Sequence, residues 1–269
     1  MDIDYKNEES FHDDWAKNTN VERIDVVQMN ESITAPEMRY ITKTITAAKK
    51  QGKLLDIGCG LGEASVYFAL KGFEVTATDI SNEMLITTQK LASNNNVNLR
   101  THKSTAESLL LGDEKFDVIY VGNLFHHVDI PQALLGIKQH LREDGILVSW
   151  DPLAYNPVIN VYRKMAMNVR TEDEHPLTRK DLKLFKENFK DVEMKFFWFS
   201  TLIIFILMYL VQRKNPNKVR FWKAVVEDGD KWAWLYKPLA SFDNFILSVF
   251  PFLKLLCWNV VIVAKNPNK

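Results

Sequence analysis

Cysteine is scarce in this sequence. Its 269 residues hold two, Cys59 and Cys257, too few for a disulfide framework and without the paired spacing of a zinc site. No metal is expected. Charge of one sign is not in excess either. Lys+Arg number 34 and Asp+Glu number 34, so no field of the whole molecule draws it to nucleic acid, and none is expected as a partner. The start of the chain lacks an apolar run. Met1–Ser10 is acidic and polar, so neither a secretory signal nor a transit peptide is expected, and a reducing, cytoplasmic location follows. Repeats are absent as well: Lys-Asn-Pro-Asn-Lys occurs at 214–218 and 265–269, but in unrelated surroundings. What is abundant is apolar. The chain is 46% hydrophobic and 12% aromatic, which excludes a disordered or collagenous polymer and leaves ample material for a core.

The patterning predicts alternating strands and helices. Phe11 and Trp15, four apart, fit a short amphipathic helix, and Ala35–Lys50 reads as a helix with Pro36 in its first turn. Strands are expected at Leu54–Ile57, Phe73–Thr78, Val97–His102, Phe116–Val121 and Gly145–Trp150, with helices at Ala64–Lys71, Asn82–Ser93 and Gln132–Leu141. That alternation implies a parallel sheet covered on both faces. After Asp151 the rhythm breaks. Helices are expected over Tyr155–Val169 and Thr178–Asn188, and a buried strand over Cys257–Ala264.

The strongest signal is Asp56-Ile57-Gly58-Cys59-Gly60-Leu61-Gly62 at the end of the first parallel strand. Its glycines permit a sharp turn and close approach of a ligand, at the strand end where doubly wound sheets bind. The spacing Gly-x-Gly-x-Gly is not the pyrophosphate-binding Gly-x-Gly-x-x-Gly, which disfavours a nicotinamide cofactor. Asp56 in the turn repels phosphate and welcomes an ammonium. Asp79, ending the second strand, can accept from both hydroxyls of a ribose or cap the helix after it. An ammonium, a ribose and no phosphate describe S-adenosylmethionine.

With these landmarks, and with Ser104–Leu109, Phe116–Val128 and Leu141–Pro152, the chain resembles the class I S-adenosylmethionine-dependent methyltransferases, in particular their small-molecule, quinone-biosynthesis-like branch. The resemblance covers about residues 50–155. It implies an α/β fold: a doubly wound, mostly parallel seven-stranded sheet whose last strand is antiparallel, with a helical apolar insertion before that strand. It also implies that Asp79 holds the ribose with Ile80 and Met84 nearby, and that Thr105 and Ala106 border the adenine. Asn123 would lie near the sulfonium, and Phe11–Trp15 would form a flap over the cofactor. Many relatives have Asp where this chain has Thr105. Asn123 also fits a plain loop residue, and Trp15 plain packing.

Methyl transfer from a sulfonium is an in-line displacement, and a base is needed only when the acceptor must lose a proton. Relatives often carry His at the position of His127, which suggests support there and leaves His126 to face the acceptor. Both are candidate catalytic residues. Asp151, Tyr155 and His175 are candidates for substrate binding. Asp151 is suited to orient a His; the bland alternatives are a Pro-rich turn around Asp151 and Tyr155, and a solvated loop His at 175.

Phe196–Val211 is nearly uninterrupted apolar sequence whose first part is expected to form the sixth strand. As a helix of ~1.5 Å rise it is too short to span a ~30 Å hydrocarbon core. Arg213, Lys214, Lys218, Arg220 and Lys223 follow without an acid among them. Two readings fit: peripheral contact with a membrane, or a buried cap with a solvated rim. The expected organisation is an N-terminal flap with helices at 1–50, a cofactor-binding core at 51–152, a substrate-binding and lid elaboration at 153–256, and the last strand with its tail at 257–269. The expected activity is methylation of a lipophilic or lipid-anchored small molecule, at oxygen in the first instance. Nitrogen or carbon acceptors, and a non-catalytic membrane-associated cofactor-binding regulator, remain alternatives. Oligomeric state is not readable.

Overall fold

The computed structural model describes residues 5–166 and 174–268. Three helices precede the sheet: α1 (Tyr5–Lys17), α2 (Val26–Glu31) and α3 (Pro36–Ala48). Asp25 caps α2 by accepting from Gln28 N at 2.9 Å, and Pro36 occupies the first turn of α3. The αβ alternation follows as β1 (Lys53–Ile57), α4 (Glu63–Leu70), β2 (Glu74–Asp79), α5 (Asn82–Asn94), β3 (Arg100–Lys103), β4 (Phe116–Gly122), α6 (Ile130–His140) and β5 (Leu141–Pro152). Then come α7 (Pro157–Met165), α8 (Arg179–Asn188), β6 (Phe189–Phe197), α9 (Ile203–Leu210), α10 (Phe221–Glu227), α11 (Gly229–Val249) and β7 (Asn259–Pro267). Residues 167–169 of the expected helix lie outside the described residues.

The seven strands form one sheet in the order β3-β2-β1-β4-β5-β7-β6. Strands β1 to β5 pair in parallel, and β7 runs antiparallel to both β5 and β6. The doubly wound sheet and its antiparallel last strand are therefore as expected. Successive residues of each strand point to opposite faces. Leu54, Val118, Tyr120, Val148 and Val261 pack toward one face with Phe68 of α4 and Ile41 of α3. Leu55, Ile119, Val121, Leu147 and Ile262 pack toward the other with Leu134 of α6 and Phe185 of α8. Full burial on both sides explains why the central strands read as continuous apolar runs.

The sixth strand corrects the sequence reading. It is Phe189–Phe197, which begins ahead of the apolar run and shares only Phe196 and Phe197 with it. Its alternation of exposed Lys190, Asp191 and Glu193 with partly buried Val192 and Met194 is that of an edge strand with one face to solvent. The apolar run itself becomes α9. One face of α9, with Ile204, Phe205 and Met208, is buried, while Ile203, Ile206 and Leu210 are exposed. Phe205 packs among Trp198, Phe221 and Trp258, with ring centroids 5.1–5.8 Å apart. Asp243 of α11 fixes the entry to α9. Its buried carboxylate accepts from Ser200 N at 2.8 Å, Ser200 Oγ at 2.5 Å and Thr201 Oγ1 at 3.0 Å.

The basic segment is largely turned inward. Lys214 pairs with Asp228, Lys223 with Glu63, and Arg220 stacks on Trp15. Of its five cations, Arg213 and Lys218 are exposed. Ser32 and Thr34, between α2 and α3, donate to the carbonyls of Val226 and Val225 at 2.9 and 2.8 Å. The N-terminal segment is thus bound to the insertion as well as to the sheet.

Candidate active site

The cavity lies where the strand order reverses, outside the carboxyl ends of β1 and β4. Beyond β1 the chain turns through Gly58, Gly60 and Gly62, at φ of +69°, +54° and +87°. A Cβ on Gly58 would stand 2.8 Å from Leu124; one on Gly60 would meet nothing within 4 Å. That open space lets the edge of a ligand lie against the backbone. Asp79 braces the turn. Its Oδ2 accepts from Gly60 N and its Oδ1 from Ser81 N, each at 2.9 Å. Burial pushes this carboxyl up, while His12 and the backbone donors pull it back. A carboxylate so placed repels phosphate and suits the hydroxyls of a ribose.

Strand β4 runs into Asn123, which adopts φ +57°, a left-handed conformation that Asn tolerates. Its N donates to Trp150 O at 2.7 Å and turns the loop across the end of β5. The following short turn carries His126 and His127. His126 Nδ1 lies 2.9 Å from Asp151 Oδ1, and the two residues are 3% and 0% exposed. Burial pushes the Asp151 carboxyl well up, and backbone N–H groups of His126, Phe125 and Leu124 pull it back. Two groups this close titrate as a pair. In the tautomer with the proton on Nδ1, Nε2 keeps its lone pair.

Helix α1 closes the cavity. Buried Glu8 lies 3.5 Å from His12 Nε2 and 3.4 Å from His127 Nδ1. Trp15 carries the Arg220 guanidinium 3.6 Å over its ring. Burial lowers the pKa of Arg220 to about 10, so it stays charged at neutral pH. The remaining wall is mainly apolar: Ile159, Tyr162, Trp222 and Trp258.

Comparison with known proteins places this arrangement. Residues 55–149 match the model of a methyltransferase domain. That match spans about a third of the chain, and over it the chain is similar to S-adenosylmethionine-dependent methyltransferases of class I. The ubiquinone biosynthesis O-methyltransferase of Rickettsia akari is 29% identical over 150 residues, 53% of this chain and 56% of that protein. The protein of the same name from Glaesserella parasuis is 35% identical over 101 residues, 35% of this chain and 43% of that one. The chain thus spans about half the length of the curated relatives it matches. Among solved structures, MccD protein superimposes with a TM-score of 0.53 at 19% identity, covering 88% of this chain and 99% of that one. YcgJ from Bacillus subtilis gives 0.51 at 18%, covering 86% and 99%. At such identity the likeness is one of fold. The cofactor of this methyltransferase class is S-adenosylmethionine, and the residues fit it: an open backbone at Gly60, an acid at Asp79, and a buried His beyond.

Within the matched residues, Gly58, Gly60, Asp79, Ile80, Thr105, Ala106, Asn123, His126 and His127 line one cavity. Other expected site residues stand elsewhere. Asp56 is corrected: it is 1% exposed and does not face the cavity. Its Oδ2 accepts from Ser65 Oγ at 2.5 Å and ties β1 to α4, and burial raises its pKa to about 7. A group so enclosed cannot meet an ammonium. Gly62 is a turn residue whose Cβ position lies 2.7 Å from Thr88. Met84 is fully buried, packed with Leu61 and Ala16 beneath the flap. Asp151 is reached through His126 and makes no wall of its own. Tyr155 turns away, its hydroxyl accepting from Arg179 N at 2.9 Å at the start of α8. His175 contributes its backbone N–H to His126 O at 2.8 Å, and its neighbour Glu174 lines the cavity instead. Residues 170–173 of that charged loop lie outside the described residues.

The sequence reading missed Glu8, Glu174 and Arg220. For Glu8 a signal existed: Glu8, Phe11, His12 and Trp15 fall on one helical face. Arg220 was hidden in a charge run, and Glu174 sits 47 positions from His127. Ligand atoms of His126, His127 and Glu174 lie within 4.8 Å of one another. Such a trio can hold a cation, where the sequence suggested none.

Proposed function

We propose that this protein transfers a methyl group from S-adenosylmethionine to a hydroxyl oxygen of a lipophilic or lipid-anchored small molecule. The observation that carries the reading is the buried His126–Asp151 pair, set between the cofactor turns and an aromatic wall. The cofactor supplies an electrophilic methyl on sulfonium sulfur. In this reading Asp79 binds the ribose hydroxyls, Ile80, Thr105 and Ala106 border the adenine, and the Gly58–Gly60 backbone and Asn123 lie along the methionine part. Ile159, Tyr162, Trp222 and Trp258 hold the body of the acceptor. His126 Nε2 takes the hydroxyl proton as the acceptor oxygen bonds to the methyl carbon and the carbon–sulfur electron pair returns to sulfur. The Asp151 carboxylate stabilises the imidazolium that forms. The names of the curated relatives support an oxygen acceptor, and the apolar wall supports a greasy one.

The test is transfer itself. Purified protein is incubated with methyl-labelled S-adenosylmethionine and a cellular lipid extract, and products are resolved by mass spectrometry. A lipid-soluble product heavier by one methylene, with the label released as an ether methyl, is expected. Tight cofactor binding with no transfer to any extract fraction would instead mean a binding protein without turnover.

A further inference from the structure

Among the described residues, helices α9 and α11 each leave an apolar face uncovered. On α11, Phe242, Phe245 and Val249 follow a helical i, i+3, i+7 spacing and are all exposed. Trp234 stands three turns before Phe245 on the same side, 72% exposed. The chain continues into a short turn, Pro251–Leu256, with Phe250 and Phe252 also exposed, Phe252 at 69%. Helix α9 packs against α11 and repeats the pattern with Ile203, Ile206 and Leu210. The opposite sides of both helices are already buried, through Phe205 and Met208 on α9 and Trp232, Tyr236 and Leu247 on α11. Helices that are apolar on both sides belong in a core or against lipid. Among the described residues no helix is long and apolar enough to cross a membrane, so lying on one is the geometry available.

Acids stand at one end of this surface, where Glu227 and Asp230 are exposed at the start of α11 and Asp228 pairs with Lys214 and Lys231; beyond them the charge is of one sign. Met194–Val226 contains no acid. From Lys231 to Trp258 the one acid is Asp243, buried and engaged by Ser200 and Thr201. Exposed Lys237 on α11 and half-buried Lys254 in the turn after it are interleaved with the aromatic residues along the chain, and exposed Arg213 follows α9. We propose that this face seats the protein on an anionic lipid bilayer, with Phe242, Phe245, Phe250 and Phe252 entering the interface and the three cations meeting lipid phosphates. A second copy is the poorer occupant. A twofold contact through the Phe242–Phe252 end of this face would bring Lys237 and Lys254 against their own copies, with no exposed acid between Lys231 and Trp258 to match. The seat differs from the basic segment at 213–223, most of whose charges are committed within the protein. It is independent of the acceptor and of the reaction.

The experiment is co-sedimentation of the full chain with vesicles of phosphatidylcholine alone and with one third phosphatidylglycerol. Strong binding to the anionic vesicles and at least tenfold weaker binding to the neutral ones are expected. Phe245→Asp with Phe252→Asp should lower partition to anionic vesicles at least tenfold. Lys237→Glu with Lys254→Glu should lower it several-fold and flatten its dependence on salt. Both pairs lie away from the cavity, so unchanged S-adenosylmethionine binding certifies their folding. If the parent does not sediment with anionic vesicles, or the aromatic pair binds as the parent does, the proposal fails. It also fails if sedimentation velocity shows a dimer that the aromatic pair converts to monomer without any vesicle binding. Loss of vesicle binding with methyl transfer intact, or the reverse, separates this proposal from the proposed function.

Discussion

At the scale of the residue, the site turns on a pair that the sequence places 25 positions apart. His126 and Asp151 meet because β4 and β5 are neighbours in register, Gly122 opposite Trp150. If His126 Nε2 is the base, it must be unprotonated to act, so the rate falls as pH drops through the apparent pKa of the pair. His126→Gln should lower kcat about 10²–10⁴-fold, with the dissociation constant of S-adenosylmethionine nearly unchanged, and should abolish the acidic limb of the pH profile. Asp151→Asn removes the charge that stabilises the imidazolium, so the limb should move to lower pH and the plateau should fall. The same profiles recorded after dialysis against a chelator examine the His126–His127–Glu174 trio. Activity and limb are expected to survive; loss restored by a divalent cation would make these residues ligands and remove His126 from the role of base. Legibility at this scale was uneven. Gly58, Gly60 and Asp79 were readable because a strand end has few alternatives for a glycine turn or an acid. Asp56 was misplaced because one residue along a strand changes the face: it turns into the layer beneath α4, where Ser65 meets it.

At the scale of the element, α1 is held over the cavity by contacts from several parts of the chain. Glu8 reaches His127, Ser81 Oγ donates to Asp13, Lys103 pairs with Glu9, and Arg220 of the insertion stacks on Trp15. Helix α1 has few apolar contacts of its own; Ala16 is its one buried apolar side chain. A stacked, partly desolvated guanidinium contributes about 1–2 kcal/mol, the part of this hold that comes from the insertion. Arg220→Ala should therefore speed amide exchange across Tyr5–Lys17 and raise the dissociation rate of S-adenosylmethionine several-fold, with exchange in β1–β5 unaltered. Equal protection of α1 in parent and variant would detach Arg220 from the flap. The elements themselves were largely legible, since the central strands are buried on both faces and their helices carry the matching period. The sixth strand was not. Being at an edge, it is amphipathic and charged, and the stronger apolar signal of α9 drew the reading a few residues onward. Of the two readings of the late apolar run, the buried cap describes the inner faces of α9 and α11, while their outer faces are exposed and their contact with a membrane is the proposal made above.

At the scale of the whole molecule, the sheet is locked to its flanking helices through buried carboxyls. Asp56 joins β1 to α4 through Ser65, and Glu37 joins α3 to β7 by accepting from Asn259 Nδ2 at 2.6 Å. Burial raises the pKa of each to about 7. In the unfolded chain they titrate near their ordinary values, so between about pH 4 and 7 the folded state holds more protons than the unfolded one. Stability from these groups is thus fully present below about pH 4 and is lost as pH rises through 7. A tenfold difference in proton affinity between folded and unfolded chain is worth ~1.4 kcal/mol, so the two carboxyls together reach on the order of 5–8 kcal/mol. Glu114 works in the opposite sense. Arg100 and Lys53 hold it down to about 2, so its contribution is lost only as pH falls through the acid range and is constant between about pH 5 and 8. Urea unfolding of the parent should accordingly show stability falling from about pH 5 to pH 8. The Glu37→Gln, Asp56→Asn double variant keeps the hydrogen-bonding shape without the charge, and its stability should fall far less, so that it overtakes the parent near about pH 8. Parallel curves for the two proteins would mean that these carboxyls are not what sets the pH dependence of the fold.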